Sequence, residues 1–200
     1  VLMCLLDLSA AFDTVHHGIL LDRLSRRYGI REQAHKWVES YLTGRKQFVM
    51  INGHKSAPRE KYCDVPQGSV LGPNLYEDYA AAPLGDIFRK YDIPFSIYAD
   101  DTQAYLPSVK GKSHEALKVL EACLEDVRKW MAFNWLKLND SKTEFIIFDR
   151  ASSDIDEVTE LCVGGCSIEA TKTVKCIGAC LDSKLKMDNQ VSAVCRAAWY

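Results

Sequence analysis

The residues in this sequence best equipped for chemistry are carboxylates placed in two distant stretches. Asp7 follows the apolar run Val1-Leu2-Met3-Cys4-Leu5-Leu6, and Asp100-Asp101 separates two β-rich stretches, Phe95 to Tyr98 and Thr102 to Leu106. The first pattern reads as a buried strand that emerges at an acid, the second as a hairpin with two acids at its tip. If a mixed sheet brings these ends together, the clustered oxygens suit Mg²⁺, which takes one or two carboxylates together with substrate phosphates and water. Two such ions about 3.5–4 Å apart activate an attacking hydroxyl and stabilise a leaving oxygen in phosphoryl transfer. The same residues also have plain structural uses: Asp-Asp is ordinary turn chemistry, and Asp7 can cap the segment after it.

The elements that must position these acids follow from periodicity. Leu20, Leu21, Leu24 and Tyr28 keep helical spacing up to Gly29, and Ala34, Trp37, Val38, Tyr41 and Leu42 mark a second helix closed by Gly44. Gln47 to Ile51 is strand-like, Asn52-Gly53 signals a hairpin, and Lys55 to Tyr62 returns antiparallel. Pro66-Gln67-Gly68 breaks the chain, and Ser69 can cap a helix to about Ala81, with Pro73 harmless in its first turn and Pro83 expected to end or kink it. Leu117, Leu120, Leu124, Val127 and Met131 step by three and four, which gives an amphipathic helix packed on the sheet. Asn139-Asp140-Ser141 is a loop, Glu144 to Phe148 a strand, and Gly164-Gly165 joins two more strands, while the acidic stretch Asp149 to Glu160 reads as a mobile loop or the edge of a subdomain. Strands alternating irregularly with helices indicate an α+β sheet covered by helices on one face.

Bulk composition narrows the class. With 200 residues, 48% apolar and 26% charged, the chain is expected to bury one sizeable core. No apolar run reaches the ~20 residues of a membrane span. Val1 to Leu6 is too short and lacks a basic leader, so neither a membrane segment nor a signal peptide is expected and the chain reads as intracellular. Eight cysteines spread from Cys4 to Cys195 favour reduced thiols over a disulfide framework. Cys162, Cys166, Cys176 and Cys180 do not fit a familiar zinc pattern and are expected to be small apolar core residues. The formal net charge of −2 runs against nucleic-acid binding unless basic grips lie elsewhere in a larger enzyme. Local clusters do occur at Arg23/Arg26/Arg27, Arg45/Lys46 and Arg89/Lys90.

Longer words around the acids carry more information than the acids alone. Leu6-Asp7-Leu8-Ser9-Ala10-Ala11-Phe12-Asp13-Thr14-Val15, Val65-Pro66-Gln67-Gly68-Ser69-Val70-Leu71-Gly72-Pro73 and Tyr98-Ala99-Asp100-Asp101 occur in that order. Trp135-Leu136-Lys137-Leu138-Asn139 and Ser141-Lys142-Thr143-Glu144 follow. Together they resemble the reverse transcriptases of non-LTR (LINE-like) retrotransposons, over most of the chain and fading after about residue 149.

The resemblance implies the palm of a right-hand polymerase, with a mixed or antiparallel sheet, the fingers missing and the thumb only begun. Residues 1–149 would be the palm core, and residues 150–200 its end, with primer-grip-like strands around Lys175-Cys176-Ile177-Gly178 and the start of a thumb. It implies an RNA-directed DNA polymerase that adds dNTPs to a DNA primer on an RNA template, with two Mg²⁺ ions for which Mn²⁺ can substitute. By the same resemblance Asp7 and Asp100 hold both metals, Asp101 completes the acidic centre, and the Leu8 carbonyl adds a ligand. Phe12 would lie beneath the sugar of the incoming nucleotide, where a ring leaves no room for a 2′-hydroxyl; by type alone it reads as a core aromatic. Gln67 and Gly68 match the segment beside nucleotide and template, and equally form a turn before a helix. Lys142 matches the lysine near the leaving pyrophosphate, where an ammonium donates a proton or neutralises charge. Asp13 reads as structural.

His16, Asn74 and Glu77-Asp78 depart from the family pattern without touching the expected ligands. The implied setting is a retrotransposon polyprotein in a cytoplasmic ribonucleoprotein that reaches the nucleus at integration, and the chain by itself is not expected to polymerise. The alternatives are a non-catalytic remnant with weak nucleic-acid binding, or another metal-dependent phosphoryl-transfer enzyme on a similar sheet. Pro66-Gln67-Gly68 and Phe12 count against the latter.

Overall fold

A computed structural model describes residues 1–108, 112–148 and 158–199. The apolar opening forms β1 (Leu2–Leu6), which pairs antiparallel on both edges, with β7 (Asp101–Leu106) on one side and β8 (Glu144–Ile147) on the other. β1 is apolar throughout because both its faces are also covered, one by helices and the other by a small hairpin. β6 (Phe95–Tyr98) extends the sheet beyond β7, and β10 (Cys166–Thr171) and β9 (Glu160–Val163) extend it beyond β8, giving the order β6-β7-β1-β8-β10-β9. Among the described strands of this sheet only the β8–β10 pairing is parallel. The sheet is therefore mixed and mostly antiparallel, as expected.

Leu2, Cys4 and Leu6 face the main core, together with Ala104 and Phe145 from the flanking strands. Helices cover that face: α1 (His17–Tyr28) through Leu20 and Leu24, the helical run from residue 72 to 90 through Tyr76, Tyr79, Leu84 and Phe88, and α5 (Ser113–Phe133) through Leu120, Leu124, Val127 and Met131. Gly29 ends α1 in the left-handed conformation at φ 69°, as its position in the sequence suggests. The opposite face carries Met3 and Ile146, covered by Val174 of β11 (Thr173–Cys176), which forms a hairpin with β12 (Ala179–Asp182). A final helix, α6 (Asp188–Trp199), buries none of its residues. None of the described helices is long and apolar enough to cross a membrane.

Pro83 does not end its helix. The run continues through α3 (Gly72–Tyr76), a wider π turn (Glu77–Ala81) and α4 (Ala82–Lys90). Proline cannot donate to the carbonyl four residues back and its ring crowds that carbonyl. The π turn takes up the crowding, and the Arg23 guanidinium donates to the orphaned Tyr79 carbonyl. Elsewhere the expected hairpin forms in short pieces: β2 (Lys46–Gln47) pairs with β5 (Arg59–Glu60), and β3 (Met50–Ile51) with β4 (His54–Lys55) around Asn52-Gly53.

α2 (Glu32–Leu42) forms as expected, with Leu42 buried and Val38 and Tyr41 packed partly buried against the core, while Trp37 is exposed and stacks on Tyr41. One expectation is corrected. Cys162 and Cys166 are exposed rather than core: in β9 the alternation gives the inward positions to Leu161 and Val163, and Cys166 opens β10 directly after the exposed Gly164-Gly165 turn. Cys176 and Cys180 are half-buried, and the fully buried thiols are Cys4 and Cys123. Most of the acidic stretch from 149 to 160 lies outside the described residues.

Phe145 is fully buried and faces Cys4 across β1 and β8. Phe145→Ala should cost about 3–5 kcal/mol of unfolding free energy. Val70→Ala, at a position 92% exposed, should stay within about 0.5 kcal/mol. Urea unfolding of the 200-residue chain, followed by circular dichroism, measures both; equal losses would contradict this placement of the core.

Candidate active site

Register places the acids. Leu6 pairs with Thr102, so one further step of the same antiparallel register sets Asp7 opposite Asp101. Cross-strand partners share a face and residues two apart share a face. Asp7 and Asp101 therefore project on the side of Leu5, Gln103 and Glu144, away from the helices. The turn that carries Asp100 has two residues, with Ala99 at φ 54°. A left-handed alanine is strained, and such strain persists only where the surroundings impose it.

The loop after α5 is pinned to Asp7 itself. The Asn139 N–H donates to the Asp7 carbonyl at 2.8 Å and the Ser9 N–H to the Lys137 carbonyl at 2.9 Å, flanking a bridge between Leu8 and Leu138. By the antiparallel alternation, the Leu8 carbonyl then points away from residues 137–139, towards the side of β1 on which the Asp100–Asp101 turn lies. Asn139 also accepts from the Lys142 N–H at 3.1 Å and the Thr143 N–H at 2.9 Å, closing a turn that carries Lys142 back over Asp7. The Lys142 ammonium stands 3.8 Å from Asp7 Oδ2.

These residues line a cleft of ≈ 500 Å³ between the end of β1 and the β11–β12 hairpin. Of the expected site residues it gathers Asp7, Asp101 and Lys142; Asp100, Leu8, Phe12, Gln67 and Gly68 lie outside its lining. Its remaining wall includes Gln103, Ser141, Glu144, Lys175 and Ile177. Gln103 and Glu144 were open to inference from strand alternation once Asp101 and Leu5 were placed. Lys175 and Ile177 had only a faint motif to mark them, and hairpin docking brings them in.

The electrostatics are those of incompletely neutralised acids. Asp7 Oδ2 is shielded from solvent and has no hydrogen-bond partner. Partial burial, then the charges of Asp100 and Asp7, push the Asp101 carboxyl above the usual range. Among the described residues no three His, Cys, Asp or Glu side chains converge as a ready-made cage. The donor set is nonetheless the right kind for a hard divalent cation: carboxylate oxygens, one of them orphaned, with a third acid next in sequence.

Phe12 lies on a 3₁₀ turn (Ala11–Thr14), half-buried against the main core, and stacks on Tyr76 with ring centroids 4.7 Å apart and planes at 17°. Burial, then the charge of Asp100, then Tyr79 raise the Tyr76 hydroxyl. The Phe12–Tyr76 stack thus reaches from the 3₁₀ turn towards the acidic hairpin. Gln67 and Gly68 are exposed on a loop closed by Ser69, whose hydroxyl donates to the Pro66 carbonyl at 2.7 Å and accepts from the Gly72 N–H at 3.0 Å. Gly68 sits at φ 76° with open space where a side chain would point. Gly72 is the tighter position, since a β-carbon there would come within 2.9 Å of the Pro66 carbonyl.

A family model described as reverse transcriptase (RNA-dependent DNA polymerase) matches residues 1–181. The chain belongs to the reverse transcriptase family. It is 31% identical over 199 residues to the RNA-directed DNA polymerase from mobile element jockey of Drosophila melanogaster, covering 96% of this chain and 21% of that protein. It is also 28% identical over 204 residues to the probable RNA-directed DNA polymerase from transposon BS of the same fly, covering 97% of this chain and 21% of that protein. The chain thus spans about a fifth of the length of these relatives. Solved telomerases share its fold: that of Candida tropicalis in the apo form at TM-score 0.59 and 10% identity, covering 94% of this chain and 32% of that one. The Candida albicans enzyme, solved with a fragment of telomeric RNA, matches at TM-score 0.57 and 11% identity, again over 94% of this chain and 32% of that one. At that identity the likeness concerns the fold, and it agrees with a polymerase palm.

In this reverse-transcriptase chain Asp101 binds its proton more tightly folded than unfolded. A raised carboxyl means that between its ordinary unfolded value, about 3.9, and its raised folded value the native state holds more protons. Its contribution therefore erodes stability as pH rises through that window. Asp7→Asn and Asp100→Asn should each lower the Asp101 value without restoring it fully, because burial is the first cause. Carboxyl ¹³C titration by NMR reads this directly, and an Asp101 curve unmoved by either substitution would contradict the arrangement.

Proposed function

We propose that this chain is the palm of an RNA-directed DNA polymerase from a non-LTR retrotransposon, and that the wider enzyme adds dNTPs to a DNA primer along an RNA template. The observation that carries the reading is the β1–β7 register, which sets Asp7 opposite Asp101 with its orphaned oxygen in a cleft bounded by Lys142. Asp7, Asp100, Asp101 and the Leu8 carbonyl would hold the divalent ions, Mg²⁺ with Mn²⁺ as a substitute. When bound, such ions supply Lewis-acid activation of a hydroxyl and neutralise charge on phosphate.

The protein's own groups divide the remaining work. Lys142, 3.8 Å from Asp7 and largely solvent-exposed, is placed to neutralise or protonate a departing pyrophosphate. Phe12, backed by the buried Tyr76 ring, forms the floor beneath the nucleotide sugar. Gln67 and Gly68, on an open loop, face nucleotide and template. Fingers and a full thumb belong to the rest of the enzyme, with residues 1–149 as the palm core and 150–200 leading into the thumb. A cytoplasmic ribonucleoprotein that enters the nucleus at integration is the corresponding setting.

With this chain in place within the full-length enzyme, Asp7→Asn or Asp100→Asn should lower primer extension on an RNA template by more than ~10³-fold while leaving circular dichroism unchanged. Substantial activity in either variant would remove the ligand assignment. Phe12→Val tests the sugar floor. A 2′-hydroxyl pressed against a ring stays buried without a partner, at a cost of about 1–3 kcal/mol, or about a five- to hundredfold preference for deoxynucleotides. The valine variant should lose much of that preference while deoxynucleotide extension stays measurable. An unchanged ratio of the two incorporation efficiencies in a folded variant would make Phe12 a core aromatic only.

A further inference from the structure

A further buried carboxylate, Asp64, lies outside the cleft, at a junction of two segments. Residues 62–65 run antiparallel to residues 12–17: the His17 N–H donates to the Tyr62 carbonyl at 3.2 Å, the Asp64 N–H to Val15 at 2.9 Å, and the Val65 N–H to Phe12 at 2.9 Å. A bridge between His16 and Cys63 belongs to the same pairing. This stitch joins the segment carrying Phe12 to the one that leads, two residues after Val65, into Gln67 and Gly68.

At its centre Asp64 is 3% exposed. A buried carboxylate is tolerated only when its charge is paired and its oxygens are bonded. Arg45 Nη1 donates to Oδ1 at 2.7 Å, the Lys61 ammonium donates to Oδ2, and His17 Nε2 lies 3.6 Å from Oδ1. His17 Nε2 is also 2.9 Å from the Asp64 carbonyl, and since a carbonyl only accepts, that nitrogen carries the proton. The three partners come from the start of α1 (His17), the segment after α2 (Arg45) and the residue that follows β5 (Lys61). Asp64 has φ 126°, a backbone region that glycine enters freely and other residues rarely do. An acid is thus held in a strained conformation by two cations and a histidine drawn from separate parts of the chain, and backbone strain of this kind concentrates at positions tied to function.

We propose that the Asp64 carboxylate is a positioning residue, which fixes Phe12 relative to the Gln67–Gly68 loop and thereby sets sugar selectivity at the incoming nucleotide. The proposal rests on the polymerase reading above. Its geometry does not: Val65 donates to the Phe12 carbonyl whatever the chain binds. With the charge removed, Arg45 and Lys61 have no reason to converge, the stitch loosens, and both walls of the sugar pocket drift together.

Asp64→Gly relieves the backbone and removes the charge; Asp64→Asn keeps the shape and removes only the charge. In the 200-residue chain, hydrogen exchange at the His17 and Val65 amides should speed up about tenfold or more in both, with the remaining core amides unchanged. In the full-length enzyme, KM for dNTPs should rise about tenfold with kcat held within about threefold, and the deoxynucleotide preference should fall about tenfold. A merely structural role would lower kcat through loss of folded enzyme and leave the preference intact. If Asp64→Gly keeps wild-type exchange and preference, the carboxylate does no positioning and the proposal is overturned. If the Asp64 variants do not fold, Arg45→Gln removes the more exposed partner and should shift both readouts the same way by a smaller factor; no shift overturns the proposal. Failure of the unsubstituted enzyme to extend any primer would defeat the polymerase reading instead, and amide exchange alone would then decide whether Asp64 clamps the two segments.

Discussion

The hydrogen-bonding of β1 on both edges is the constraint from which the rest of the molecule follows. Strand side chains alternate with a period of two, so a slip of one residue against β7 would turn Asp7 into the helical core and expose Leu6. The burial of Leu2, Cys4 and Leu6 beneath the helices forbids that slip. Hydrophobic patterning thus selects the register, and the register alone points Asp7 and Asp101 at the opposite face. The chemistry is positioned by residues that take no part in it.

Two carboxylates show how differently the fold treats acids that it shields from solvent. Asp64 is almost wholly enclosed, and its oxygens are met by an arginine and a lysine. Asp7 keeps a shielded oxygen with no donor, and the Lys142 ammonium stands at 3.8 Å, beyond hydrogen-bond reach. The first charge is cancelled by the protein. The second is not, and the Asp101 carboxyl beside it is raised by burial first and then by the charges of Asp100 and Asp7.

The helical layer is shaped by a local conflict and its repair. Pro83 removes a donor in mid-run, and the structure answers with a π turn and with Arg23, whose guanidinium also lies over the rings of Tyr79 and Trp130. Because the run continues, Tyr76 stays buried at its start and can back the Phe12 ring. A broken helix would free that ring and remove the floor assigned to the sugar.

Strand and helix identities, the Asp100–Asp101 hairpin, the Gly29 stop and the α5 stripe were legible in the sequence, since each is a local matter of period, turn chemistry or capping. The motif words around Asp7, Gln67, Asp100 and Lys142 likewise pointed to a reverse transcriptase palm. What could not be read is whatever depends on partners distant along the chain. Nothing near Asp64 announces that Arg45, Lys61 and His17 will close on it, and nothing in α2 says that Trp37 will stay exposed. Cys162 and Cys166 looked like core residues by type, but the alternation of β9 turned Cys162 outward and Cys166 lies exposed beside the Gly164-Gly165 turn. The hairpin carrying Lys175 and Ile177 becomes a wall of the cleft only because Val174 docks beneath β1. Period and composition act within a few residues, whereas ion pairing and docking are settled by which surfaces the folded chain brings into contact.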